Sequence, residues 1–253
     1  MNLTMLGLEL KRVFRDKTRL FFSAVLPAFF YVVFGAVQDY ADLSIGNGNV
    51  AMAVMVAMAA YGAVTATATV GGTAAIERAQ GWGRQLGLTP LRDTTYVLTK
   101  AALAAIVAMI PLTLIYIVGA STKADGTAKA WLLSALVLVV GSIVFALYGL
   151  CFGLALQSEA ALGAASGSVV LLGFLGNLFF PLSGWMLDVA RFTPLYGYAA
   201  LARYPVTKGY LASSTSGPLV HEALWIPITN MVVWTVVLAG VAVLLVRRGR
   251  GRQ

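Results

Sequence analysis

Residues 77–100 read ERAQGWGRQLGLTPLRDTTYVLTK, the one long polar, charge-bearing interruption between two apolar blocks. The blocks on either side, residues 50–76 and 101–122, contain no Asp, Glu, Lys or Arg, and each exceeds the roughly 20 residues that an α-helix needs to cross a bilayer. The interruption must therefore sit at a membrane surface. Within it, residues 77–86 can form about three turns. Gly87 can stop them, and Thr89 followed by Pro90 supplies an N-cap and a first-turn residue for a new helix. The stretch reads as a short surface helix held between two spanning helices.

The rest of the chain has the same character. It is 59% hydrophobic and only 11% charged, with a mean hydropathy of +0.83, whereas soluble domains are about 25% charged. Six apolar segments are long enough to span, and barrel strands would be about 10 residues of alternating polarity, which none of them shows. The expected fold class is an all-α integral membrane protein with an N-terminal interfacial elbow helix, six transmembrane helices and a short outer re-entrant helical hairpin before the last helix. The boundaries are residues 1–18 for the interfacial helix, 20–38, 50–76, 97–120, 130–157, 160–183 and 223–246 for the spans, 77–90 for the cytoplasmic loop and 185–204 for the hairpin. Together they make a single transmembrane domain over 1–253.

A net charge of +8 raises the question of nucleic acid, but the cations lie beside hydrophobic ends rather than on one soluble face, so no nucleic-acid partner is expected. With the N-terminus inside, thirteen Lys and Arg fall on the inner side and five on the outer. Both termini are then cytoplasmic, in a multi-pass protein of the bacterial plasma membrane. The same assignment puts residues 77–100 in the cytoplasm, where ATP is. Near the start, Leu3, Leu6, Leu10, Val13 and Phe14 recur at helical spacing among Glu9, Lys11, Arg12, Arg15 and Asp16. Such a helix lies in the headgroup plane with membrane lipids beneath it. The apolar run that follows is too long for a signal-peptide core and lacks a small-x-small cleavage site, so it is read as retained.

Glu77, Arg78, Gly81, Leu86, Thr89 and Pro90 follow the order acid, base, Gly, Leu, Thr-Pro, departing from a familiar pattern only at Trp82-Gly83. The pattern resembles the loop after the second span of ABC-2-type permeases, the membrane subunits of ATP-driven exporters. The opening, Arg15-Asp16 with Leu20, Pro27 and Phe34-Gly35, is similar to that family's elbow and first span. PLSGW followed by TPLYGYAALAR resembles its outer hairpin. The resemblance implies that the loop docks into an ATP-binding cassette subunit, and that two permeases, identical or related, pair above two such subunits. It further implies that ATP and magnesium reside on the partner, leaving this chain without a cofactor. An amphipathic loop lying on headgroups remains the alternative for the segment itself.

Met52, Met55, Thr65 and Thr69 lie in a span built of small residues. They read either as helix packing or, given pathway-facing helices in the family, as part of a route for an amphiphilic substrate. Gly149 with Gly153, and Gly163 with Gly167, form two small-xxx-small faces that suit a dimer seam and internal packing equally. In the hairpin, Asp188 and Arg191 are one turn apart, and Trp185, Tyr196, Tyr198 and Tyr204 suit the headgroup zone. Trp185, Asp188, Arg191 and Tyr196 then form an outer gate, or else an interfacial hairpin without gating. Cys151 is the only cysteine and His221 the only histidine, so no thiol cluster or disulfide is expected, and neither has a catalytic partner in the sequence.

No phosphate loop of the Gly-x-x-x-x-Gly-Lys-Ser/Thr type occurs, so ATP hydrolysis is not expected in this chain. The six spans hold no mid-membrane acid or histidine for proton coupling. No metal site or catalytic residue is expected. The reading is a permease subunit of an ABC-2-type exporter for a hydrophobic or amphiphilic substrate such as a drug, antibiotic, lipid or glycolipid. The alternative is a non-transporting membrane anchor or scaffold that recruits cytoplasmic partners.

Overall fold

The computed structural model describes residues 3–81, 93–156, 158, 160–211 and 220–250, the side chains at 78, 79, 93–97, 249 and 250 excepted. Helices α1 (Leu3–Arg15) and α2 (Lys17–Ala36) are separated at Asp16, whose carboxylate caps α2 by accepting the Arg19 amide. Then come α3 (Val50–Ala79), α4 (Asp93–Ala120), α5 (Ala128–Leu156) and α6 (Ala160–Leu175). The hairpin helices α7 (Trp185–Ala190) and α8 (Pro194–Thr207) precede α9 (Trp225–Arg250). Two short antiparallel strand pairs lie in the connections at one end of the bundle, β1 (Ser44–Ile45) with β2 (Gly48–Asn49) and β3 (Tyr210–Leu211) with β4 (Val220–His221). Among the described residues, five helices are long and apolar enough to span: α2, α3, α4, α5 and α9.

The span expected over 160–183 is shorter in the structure. α6 stops at Leu175 after 16 residues, about 24 Å of helix against a hydrocarbon core of about 30 Å. The chain turns there because Asn177 takes a left-handed conformation, φ 59°, and its side-chain oxygen accepts the Leu182 amide. Phe179 folds back under Gly173 and packs its ring against Tyr61 and Phe30.

α3 is the axis. Its span is 83% buried within the protein, against 17% for α9. Small residues make this possible: a Cβ at Gly71 would lie on the Ala146 carbonyl, and one at Gly149 on the Ala68 carbonyl, so α3 and α5 touch backbone to backbone. Other helices are tied by hydroxyl pairs rather than charges: Tyr116 with Ser134 at 2.7 Å (α4 to α5) and Tyr148 with Ser168 at 2.7 Å (α5 to α6). Tyr198 donates to the Leu138 carbonyl at 2.7 Å, fixing α8 against α5.

The apolar stripe of α1 turns onto the protein. Leu6, Leu10 and Val13 pack with Val70 of α3 and Leu103 and Val107 of α4, while Leu3 and Phe14 of the expected stripe stay exposed.

Candidate functional site

Where α3 and α4 end side by side, four charged groups from three helices meet. Glu77 Oε1 accepts from Arg12 Nη1 at 2.8 Å, and Glu77 Oε2 from Lys100 Nζ at 2.8 Å. Lys100 Nζ also reaches Glu9 Oε1 at 2.6 Å. Glu77 and Lys100 are both buried. Each is paired with hydrogen-bond geometry, so removing one member would strand the others in a low dielectric. A cavity of about 400 Å³ opens beside them, lined by Glu9, Arg12, Thr69, Thr73 and Lys100 among others.

Of the residues expected to meet an ATP-binding subunit, Glu77 thus points inward and joins the loop's first residue to α1 and α4. Arg78 continues α3, and Gly81 turns the chain at φ 88° with open space where a Cβ would be. Leu86, Thr89 and Pro90 lie outside the described residues.

The expected pathway residues are not gathered on one surface. Met52 and Met55 are wholly buried, Met52 against Gly48 and Gly126 and Met55 against Gly119. Thr65 donates to the Tyr61 carbonyl at 2.9 Å and Thr69 to the Thr65 carbonyl at 2.7 Å, so both hydroxyl protons are spent on their own helix. Thr69 lines the cavity beside Glu77.

At the opposite end, the α7–α8 hairpin closes over Glu222. The Tyr196 hydroxyl lies 2.7 Å from both carboxylate oxygens, and Arg191 Nε donates to Oε1 at 3.0 Å. Arg191 Nη1 also pairs with Asp188 at 2.9 Å, as the one-turn spacing predicts. Thr193 caps α8 by accepting the Tyr196 amide, and Asn230 of α9 donates to the Arg191 and Thr193 carbonyls. Tyr196 and Tyr198, read from sequence as headgroup residues, are wholly buried; each hydroxyl found a partner inside, which removes its reason to face water. Trp185 is 74% exposed and keeps an interfacial position open to it. Burial, together with the Glu222 carboxylate, pushes the Tyr196 hydroxyl pKa well above its usual value.

Sequence reasoning missed Glu222, Glu9 and Lys100 as partners. For Lys100 a signal existed: Glu77 and Lys100 close the adjacent ends of consecutive antiparallel spans, so a short loop must bring them together. Glu222 offered less, a lone acid in VHEALW beside an apolar run.

A profile of the ABC-2 type transporter family matches residues 2–204. The chain belongs to that family. It is similar to a Bacillus subtilis (strain 168) protein named "Putative transport permease YvfS", 25% identical over 198 residues that cover 76% of this chain and 80% of the relative. As an ABC-2 member it is a transport component of the membrane, and ATP hydrolysis belongs to a separate ATP-binding subunit. The matched stretch includes the Glu77 ion cluster and most of the α7–α8 hairpin, and stops before Glu222.

Proposed function

We propose that this chain is the permease subunit of an ATP-driven exporter that moves a hydrophobic or amphiphilic substrate across the bacterial plasma membrane. It pairs with a second permease, and the 77–90 loop takes the push of the ATP-binding subunit. The observation that supports this reading is the double grip on Glu77. Its two oxygens bind Arg12 of α1 and Lys100 of α4 while its backbone ends α3. A displacement of the loop therefore moves three helices together instead of bending one, as a two-state transition requires. In this reading Glu77 transmits force and the residues beyond it make the contact.

The test is reconstitution with the ATP-binding subunit in proteoliposomes. Leu86→Asp is expected to lose co-purification of that subunit. Glu77→Gln is expected to keep co-purification and lose the permease-dependent stimulation of ATP hydrolysis. Normal stimulation in both variants removes the coupling role. Wild-type complexes that hydrolyse ATP yet move neither a fluorescent phospholipid analogue nor the dye Hoechst 33342 favour the scaffold instead.

A further inference from the structure

The second cavity lies at the outer end, between the ends of α2 and α3 and the hairpin helix α8, and measures about 630 Å³. That size is within the range of small-molecule sites. Its walls are mostly apolar and aromatic, among them Phe34, Val54, Phe179 and Phe180, and Phe180 and Tyr40 stand half-exposed at its edge. A side chain of a different kind joins them: Arg203, from α8.

Nε and Nη2 of Arg203 are buried without a hydrogen-bond partner. None of the described carboxylates lies within ion-pair distance of its guanidinium. Asp42 pairs with Lys123, Asp188 with Arg191, and Glu222 with Arg191 while also accepting from Tyr196. The undescribed segment nearest in sequence, residues 212–219, reads ASSTSGPL and contains no acid. Glu222 lines the same cavity; burial works against the Arg203 cation while Tyr196 and Glu222 favour it, but the Glu222 carboxylate is held by Tyr196 and Arg191 and does not reach ion-pair distance. Asp188 is spent on Arg191 and its side chain is 70% exposed, so it supplies no counter-charge in contact with Arg203. Unmade donors on a buried guanidinium are costly, and an arginine fork matches a carboxylate or phosphate in two parallel bonds.

We propose that the outer cavity binds an anionic amphiphile, its phosphate or carboxylate on Arg203 and its hydrocarbon along Phe34, Phe179 and Phe180. If the chain is an exporter, as proposed above, this is the substrate class its outer site receives. The binding itself does not depend on that reading, because it needs no ATP-binding subunit.

The experiment titrates the purified permease alone, in a maltoside detergent, with dodecyl phosphate, dodecanoate and dodecanol, read by native mass spectrometry. Wild type is expected to hold the two anions more tightly than the alcohol. Arg203→Gln should weaken the anions roughly tenfold or more and leave dodecanol unchanged, and Arg203→Lys should recover part of the loss. Ala53→Phe, which fills the cavity without touching the charge, should lose all three guests. Competition by short-chain phosphatidic acid as strong as that by dodecyl phosphate identifies a bilayer lipid as the guest; competition by the single-chain anions alone identifies a free amphiphile. Equal wild-type affinity for anions and alcohol overturns the proposal, as does full anion binding in Arg203→Gln or Ala53→Phe. Should Arg203→Gln fail to fold, the anion-to-alcohol contrast in wild type and the Ala53→Phe titration decide. Anion binding without ATP-dependent transport would sink the exporter reading and spare this one; transport without anion binding would do the reverse.

Discussion

At Glu222 the Tyr196 hydroxyl and the Arg191 guanidinium do for a buried carboxylate what water does for an exposed one. Taking the charge away leaves the buried Tyr196 hydroxyl and the partly exposed Arg191 guanidinium one neutral amide oxygen to share and brings in an amide donor of its own, so Glu222→Gln is expected to lower stability by about 3–5 kcal/mol. Tyr196→Phe removes one charge-assisted bond and should cost less, about 1.5–3 kcal/mol. Thermal unfolding in detergent ranks them; a Glu222→Gln protein that melts no earlier than one with Asp188→Asn at the exposed pair would show that the carboxylate holds nothing. The same bond fixes a pH response. Because Tyr196 ionises in the folded state only well above the ordinary tyrosine range of about 10, its contribution is fully present below pH about 10. It fades as pH climbs from there toward the folded value, where the unfolded chain has already released the proton. A tyrosinate difference titration of wild type against Tyr196→Phe should stay flat through pH about 10, and a normal tyrosine step there would contradict the burial. What could be read in sequence at this scale was local. The pair of Asp188 with Arg191 follows from spacing alone. Glu77 and Lys100, 23 residues apart, are brought near by the loop that joins their spans, whereas Tyr196 and Glu222, 26 apart, meet only through the fold.

At the scale of helices, composition settled which segments are apolar and long, and where the polar connections fall. The end of α6 was illegible because residues 160–187 contain no charge. The break comes from the backbone of Asn177 and the folding back of Phe179, which no local pattern announces. The two small-residue faces, equivalent in sequence, separate in the structure. Gly149 and Gly153 meet Ala68, Gly72 and Ala75 of α3, whereas a Cβ at Gly163 or Gly167 would find nothing within 4 Å. Gly149→Leu has no room to relax, since the obstacle is backbone, and should abolish folded protein in the membrane. Gly163→Leu with Gly167→Leu should leave the melting temperature of the single chain unchanged. If that face is where the second permease sits, the double variant also lowers the dimer fraction seen by cross-linking. A folded Gly149→Leu protein would refute the α3–α5 contact, and an unchanged dimer in the double variant would assign the α6 face to lipid.

At the scale of the molecule, charge and grease are sorted by position. Glu9, Arg12, Glu77 and Lys100 cluster at one end; Asp42, Lys123, Asp188, Arg191, Arg203 and Glu222 gather at the other. Between them α5 and α9 present Leu132, Leu136, Val140, Val232, Val236 and Leu244 outward, a surface that only lipid or another membrane chain can cover. α9 starts beside the hairpin, where Asn230 and Trp234 bond the 191–193 backbone, so its last turns reach the end that holds α1 and Glu77. The cation excess on that side makes it the end expected to face the cytoplasm. The prediction uses a background in which the buried Cys151 is replaced by Ala. Lys129→Cys, at the exposed start of α5, should react with a membrane-impermeant maleimide on intact cells. Arg248→Cys, near the end of α9, should react only after the cells are opened. The opposite pattern would place the Glu77 cluster outside the cell, beyond the reach of any ATP-binding subunit. The coupling mechanism would then fall, while the anion site at Arg203, defined by its own donors, would face the cytoplasm and remain to be filled from that side.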